Sequence, residues 1–425
     1  MKDANMDDIS KLDRLRQMQF SLTSEMLYQQ LNDAIEDFTP ERFQKCLAAN
    51  EFFSETIGGE RRYHHLSAKT FMTVNHAVHA QIKRNPYFDP IRYQKTYEAL
   101  TALQEALESG QRFQYTFQLE TTLTVTDDRN VDRDADRNDR RYYVHLPIAR
   151  GTETVLLEAS PTPFDLAEPN AMQRTVYFDA LQVVRQFFIR YAFSKESQCK
   201  RRSAAFAEPL TPANVQKLAP FLCEKKPHIV FTESICQIVD SFRKDSANPL
   251  IIARKCYDYV TQHIQYAFMP DYRLINQLPM FALTHGKGDC GTQALLWISM
   301  LRYAGIPATM TSGRMLSPID DQTGMHDWVA YYIEPYGWIE ADPSYGEEAL
   351  RLGDEKRWHY YFENVDPYRM AANFDIQSAF AYRKIRREDP LDNQSGEIDT
   401  NMGGLKPDYT TMTKIVKSEK KIVMD

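Results

Sequence analysis

The chain has 425 residues, 43% of them hydrophobic, and its 51 basic against 58 acidic side chains give a net charge of −7. That length accommodates two to four domains at roughly 100 to 200 residues each, and the mild acidity argues against a nucleic-acid partner, which normally meets a concentrated basic face. No apolar run approaches the roughly 20 residues that span a bilayer, and the stretch from Met1 to Asp8 is too acidic and polar for a secretory signal, so a cytoplasmic protein without membrane contact is expected.

Thr39-Pro40 pairs an N-cap residue with proline at the first helical position, and the apolar residues from Phe43 to Phe53 predict a helix that ends at Gly58-Gly59. Ser67 can cap a second helix carrying Phe71, Val74, Val78 and Ile82. A third runs from Ile91 to Gly110 with Tyr97, Leu100, Leu103 and Leu107 on one side. Residues 1–110 therefore read as a helical N-terminal domain.

At Phe113 the period changes to two. Phe113, Tyr115, Phe117, Leu119, Thr121, Leu123 and Val125 alternate with mostly polar residues, which predicts a long strand with one buried face. Further strands are expected at Tyr142 to Ile148, Thr154 to Ala159, Thr175 to Phe178 and Val183 to Phe193, making 111–205 a β-sandwich-like domain. Between the first two strands, Asp132, Asp134 and Asp136 have the spacing of a calcium loop. However, Arg137 stands where the turn needs glycine and Tyr143 where a bidentate glutamate belongs, so a solvated hairpin loop is expected.

Helical patterning returns at Thr211-Pro212, and Asn248-Pro249 opens a segment with Leu250, Ala253, Cys256, Val260 and Ile264 on one stripe. A catalytic domain is placed at 206–388, in which Trp358 to Phe362 and Asp366 to Arg369 read as extended. Residues 389–425 read as a polar C-terminal extension that drapes over the surface or is partly mobile. The six cysteines, Cys46, Cys199, Cys223, Cys236, Cys256 and Cys290, form no CxxC pair and no zinc-like spacing with histidine, so no disulfide, metal or other cofactor is expected. Five of them read as small hydrophobes in or near a core; Cys290 is set apart.

Cys290 follows Gly288-Asp289 and opens a helix marked by Ala294, Leu295, Ile298 and Leu301 that stops at Gly305. The unpaired N–H groups and positive end of a helix favour a thiolate, below the free value of roughly 8.5, and can also face an oxyanion. His326 to Ile333 and Trp338 to Asp342 read as two strands joined at Glu334-Pro335-Tyr336-Gly337. A register centred on Glu334 sets His326 opposite Asp342, Trp328 opposite Glu340 and Ala330 opposite Trp338. With Cys290 as nucleophile, His326 as proton carrier and Asp342 as the carboxylate that orients the ring, the set suits acyl chemistry on amides. His285, close to Cys290 along the chain, reads as an exposed loop residue.

The order Gly288-Asp289-Cys290, Leu301-Arg302-Tyr303-Ala304-Gly305-Ile306-Pro307-Ala308, His326-Asp327-Trp328 and Gly337-Trp338 through Asp342-Pro343 resembles the transglutaminase-like superfamily, of the bacterial type. Additional matching phrases are His228-Ile229-Val230-Phe231-Thr232, Asn248-Pro249-Leu250 and Tyr266. The resemblance covers about Pro227 to Gly346. It implies an α+β protein with a papain-like catalytic domain and a Cys-His-Asp triad, acting on a protein or peptide substrate through a thioester. The products would be those of a peptidase or amidase, or of a protein-glutamine transferase. Hydrolysis is favoured, since no tunnel that would exclude water is evident, and the alternative is a non-catalytic peptide-binding or assembly module on the same fold. A second oxyanion donor is implied upstream of the cysteine, with Tyr266 and Gln277 both available. Asp327 departs from the family pattern, where a small residue more often stands, and strand alternation turns it away from His326.

Overall fold

The computed structural model describes residues 2–127, 140–387, 389–401 and 406–423; the loop with Asp132, Asp134 and Asp136 lies outside them. Helix and sheet are mixed in the α+β manner the patterns predict, around three clusters of buried side chains. Among the described residues no helix is long and apolar enough to cross a membrane.

The first cluster lies between N-terminal helices and packs Leu27, Leu31, Phe38, Phe43, Phe52 and Phe71 together. Thr39 caps Pro40–Ala48 by accepting the Arg42 N–H at 3.3 Å, but that helix is shorter than expected. Asn50, in the left-handed region at φ 54°, ends it, and Gly58-Gly59 serves instead as the turn of a hairpin between Ser54–Ile57 and Glu60–Tyr63. Ser67 is the first residue of the helix Ser67–Val74 rather than its cap. Asp89 caps Pro90–Glu108, accepting two backbone N–H groups at 3.0 Å.

The second cluster fills two four-stranded sheets. Phe113–Asp127 buries alternate residues throughout, so its period of two in sequence is the period of its burial. The polar C-terminal stretch corrects the expectation of a surface-draped extension. Glu397–Thr400 pairs with Arg141–Pro147, and Asp408–Ile422 runs antiparallel along nearly the whole of Phe113–Asp127. It is an edge strand whose lysines guard the open side, which is why it carries so little apolar signal.

The third cluster is built around the helix Cys290–Tyr303, whose residues from Gly291 to Arg302 are all buried. A helix apolar all round is an interior helix. It packs on an antiparallel sheet with strand order Gly337–Ala341, Thr323–Ile333, Ala308–Leu316, Arg369–Asn373. Glu355–Glu363 is a helix, not the extended segment expected. Asp354 caps it, and Tyr361 and Phe362 are buried on it while Trp358 reaches the Tyr257 ring. Cys256 lies in this core, whereas Cys223 is exposed.

Candidate active site

Asp289 is the N-cap of the Cys290 helix. Its carboxylate accepts the Thr292 N–H at 3.0 Å, the Thr292 hydroxyl at 2.8 Å and the Tyr272 hydroxyl at 2.6 Å, which fixes the first turn and sets Cys290 at the first helical position. Immediately before it, Lys287–Gly288 pairs in parallel with Gln265–Tyr266, so Tyr266 stands opposite Gly288, two residues from the thiol. Burial pushes the Tyr266 phenol well above its ordinary value, and the charge on Cys290 adds to this. Gln277, the other donor considered, precedes the helix Leu278–His285 without capping it and makes no hydrogen bond to Cys290 or His326 among the described residues. His285 is exposed and stacked on Phe281.

His326 and Asp342 come together. Nε2 of His326 lies 2.7 Å from Oδ2 of Asp342, both side chains being buried. The register behind this contact differs from the expected one. Ile333 pairs with Gly337 and Val329 with Ala341, which shifts the pairing by two positions from a turn centred on Glu334. An even shift keeps every side chain on its face, so Asp342 reaches His326 diagonally rather than directly across. Trp328 donates from Nε1 to Glu340 at 2.9 Å, and the His326 ring lies between Trp328 and Tyr345 with centroids 6.1 and 5.4 Å away.

Asp342 is also the N-cap of Pro343–Arg351, accepting the N–H groups of Ser344 and Tyr345, each at 3.0 Å, and the Ser344 hydroxyl at 2.8 Å. Fully buried Arg369 pairs with the same carboxylate and with Asp366 at 2.7 Å. Burial works to raise the Asp342 carboxyl, but Arg369 and His326 outweigh it and hold the group well below the usual carboxylate range. An ionised Asp342 makes Nε2 the protonated ring nitrogen, the donor to Oδ2. Nδ1 has no hydrogen-bond partner among the described residues.

Cys290 engages a different group. Its thiol donates to Oδ2 of Asp327 at 3.4 Å, and among the described residues no hydrogen bond joins it to His326. Asp327 sits on the strand face that Val329 and Tyr331 present to the Cys290 helix. A side chain at Gly291 would meet its Oδ2 at 2.8 Å and the Tyr272 hydroxyl at 2.6 Å, so this close approach requires glycine. Burial, then Asp327 and Asp289, push the thiol well above its ordinary value, and Asp342 adds a smaller push. The helix terminus favours the thiolate as expected, but two carboxylates and desolvation outweigh it.

Asp327 is itself raised by burial and by Asp392 and Asp289. Its Oδ1 accepts from Nε2 of Gln394 at 2.8 Å, and Oε1 of the same amide accepts the His326 backbone N–H at 2.8 Å. Gln394 also donates to Asp392 at 3.2 Å, and burial followed by Asp389 raises Asp392 to about 7. No motif or spacing marks the parts played by Gln394 and Asp392. The available signal for Arg369 was its place in Asp366-Pro367-Tyr368-Arg369, a short step after the aromatic segment. No group of three or more histidine, cysteine, aspartate or glutamate side chains poised to hold a metal occurs among the described residues.

Residues 237–343 match the family model of the Transglutaminase-like superfamily. The chain thus carries a transglutaminase-like domain, and the matched span contains Cys290, His326 and Asp342. Among solved structures, it is similar to a proposed cysteine protease from Cytophaga hutchinsonii, at 13% identity over 72% of this chain and 91% of that one, with a TM-score of 0.43. The periplasmic domain of TgpA from Pseudomonas aeruginosa is also similar, at 15% identity over 57% of this chain and 92% of that one, with a TM-score of 0.29. No curated protein matches the chain.

Proposed function

We propose that the protein is a thiol-dependent acyl-transfer enzyme acting on amide bonds, with Cys290 as nucleophile, His326 as proton carrier and Asp342 as the group that orients the imidazole. The observation that carries this reading is the buried 2.7 Å contact between Nε2 of His326 and Oδ2 of an ionised Asp342, which leaves Nδ1 unengaged and available to a proton donor. Nδ1 takes the thiol proton as sulfur attacks the carbonyl carbon, and returns it to the amine nitrogen as the C–N bond breaks, leaving a thioester. Water then attacks, giving a proton to Nδ1; the C–S bond breaks and the proton returns to sulfur. The backbone N–H of Cys290 and the phenol of Tyr266 are the donors assigned to the oxyanion. Hydrolysis is the assigned outcome, an amine acceptor being the other member of the same chemistry. The substrate class is a protein or peptide.

A peptide-binding module without turnover is the second reading, and the thiol's bond to Asp327 in place of His326 favours it. Alkylation of Cys290 by iodoacetamide, followed by mass mapping across pH, separates the two. The enzyme requires an alkylation rate that depends on the imidazole and is strongly slowed in His326→Ala; a rate indifferent to His326 across pH sinks the catalytic reading.

A further inference from the structure

A cavity of about 460 Å³ has His326, Tyr266 and Tyr345 in one wall and the N-terminal helices in the other. The charged groups around it are, with one exception, committed to the protein. Arg92 pairs with Asp320 at 2.8 Å, Arg351 with Glu347 at 3.1 Å and Arg357 with Asp354 at 3.8 Å, while Glu348 accepts the Tyr93 hydroxyl at 2.7 Å and Asp89 caps its helix.

The exception is Lys69. It is half-buried and lines the cavity, and among the described residues no carboxylate lies within ion-pair distance of it. Its ammonium rests over the Phe268 ring at 4.2 Å. Phe268 is held there by its own N–H, which donates to Thr70 Oγ1 at 3.2 Å, and its ring meets the edge of Tyr266 with centroids 5.5 Å apart. A line of side chains thus leads from the ring of Tyr266, which stands opposite Gly288, to an ammonium less than about 10 Å from that ring, the span of about three extended residues. Burial lowers the Lys69 pKa, as expected for a cation without a counter-ion. A half-buried charge in an aromatic cleft is stabilised when a ligand brings the opposite charge.

We propose that Lys69 is a specificity residue that binds a carboxylate of the substrate, so that the cleft selects an acidic peptide whose carboxylate lies within about three residues of the amide presented to Cys290. This rests on the catalytic reading for its reacting bond, but not for the binding site itself.

The test uses fluorescein-labelled alanine-glycine tetrapeptides in which one glutamate is walked through the positions, their glutamine counterparts, and each peptide with a free or an amidated C terminus. Binding is measured by anisotropy to the full chain carrying Cys290→Ala, alone and with Lys69→Met or Lys69→Arg. At least one glutamate peptide is expected to bind about tenfold more tightly than its glutamine partner, with the preference erased in Lys69→Met and partly kept in Lys69→Arg. A preference that follows the free C terminus instead assigns the same site to a terminal carboxylate. Equal binding of all peptides, no saturable binding up to about 1 mM, or a preference that survives Lys69→Met overturns the proposal. Because turnover plays no part in this assay, a carboxylate preference in a protein that lacks His326-dependent alkylation refutes the catalytic reading and leaves the binding site standing.

Discussion

Replacing Asp327 with asparagine is expected to make Cys290 more reactive. The thiol proton is directed at Oδ2 of Asp327, 3.4 Å away, and both groups are pushed up by burial and by neighbouring carboxylates. Whichever of the two ionises first holds the remaining proton in place. A unit charge at about 4 Å in an effective dielectric of about 20 is worth about 4 kcal/mol, or about three pK units. Asp327 is pushed upward too, so it carries less than its full charge over part of this range, and its removal should lower the thiol pKa by up to about three units. Nucleophilicity falls with basicity at a slope of about 0.5, so a drop of two units leaves a net gain of about tenfold in alkylation rate at pH values below both pKa values. Asparagine retains the Oδ1 that accepts from Gln394 at 2.8 Å, and the fold should survive. The assay is the second-order rate of iodoacetamide addition at Cys290, mapped by mass from about pH 5 to 9. An unchanged or slower rate, with no movement of its pH midpoint, would refute the claim that Asp327 restrains the thiol.

Arg369→Met should cost about 3 to 5 kcal/mol by urea denaturation, because it strands the buried Asp342 and Asp366 carboxylates; a loss under 1 kcal/mol would contradict their dependence on the guanidinium. The depressed Asp342 pKa contributes stability that is fully present above its unfolded value of about 4 and is lost as pH falls through the folded value, so the acid-unfolding midpoint of Arg369→Met should move upward. Asp392 behaves oppositely. Raised to about 7, it makes the folded state bind the extra proton between about pH 4 and 7, so stability should fall as pH rises through that window, and Asp392→Asn should remove a few kcal/mol of that fall summed over the window. Cys290 alkylation is expected to be indifferent to EDTA, measured by the same mass mapping; loss on chelation would reveal a metal requirement.

The fold was legible where one physical requirement controls each residue. Phe113–Asp127 has one face in a core and the other outside it, so its alternation could be read directly. Asn248-Pro249 and Thr39-Pro40 marked helix starts because a cap and a first-position proline answer to local geometry alone. Asp408–Ile422 was missed because an edge strand bearing Lys414, Lys417, Lys420 and Lys421 has little apolar surface to alternate. Trp358-His359-Tyr360-Tyr361-Phe362 reads as strand on aromatic content, yet it folds as helix because tertiary contacts with Tyr257 and Trp297 overrule propensity. The hairpin register shifted by two because Ile333 pairs with Gly337, leaving a three-residue loop that no pattern in Glu334-Pro335-Tyr336 specified.

The neighbours of the candidate site were harder to read because they come from segments remote in sequence. Arg369 reaches Asp342 across 27 positions, and Gln394 reaches Asp327 across 67. A lone arginine or glutamine has no periodicity from which such a meeting could be deduced. Gln394 shows how the parts are joined. Its neighbour Asn393 donates to the His145 carbonyl at 3.0 Å, and Glu397–Thr400 then joins the edge of the Arg141–Pro147 strand. The sheet that holds Arg141–Pro147 therefore anchors an amide that accepts the His326 N–H and donates to the Asp327 side chain, one contact with each of two residues whose side chains leave the strand on opposite faces. A shift of that edge would move the imidazole's backbone and the carboxylate restraining the thiol together. Gln394 is thus the link between that sheet edge and the residues assigned to chemistry.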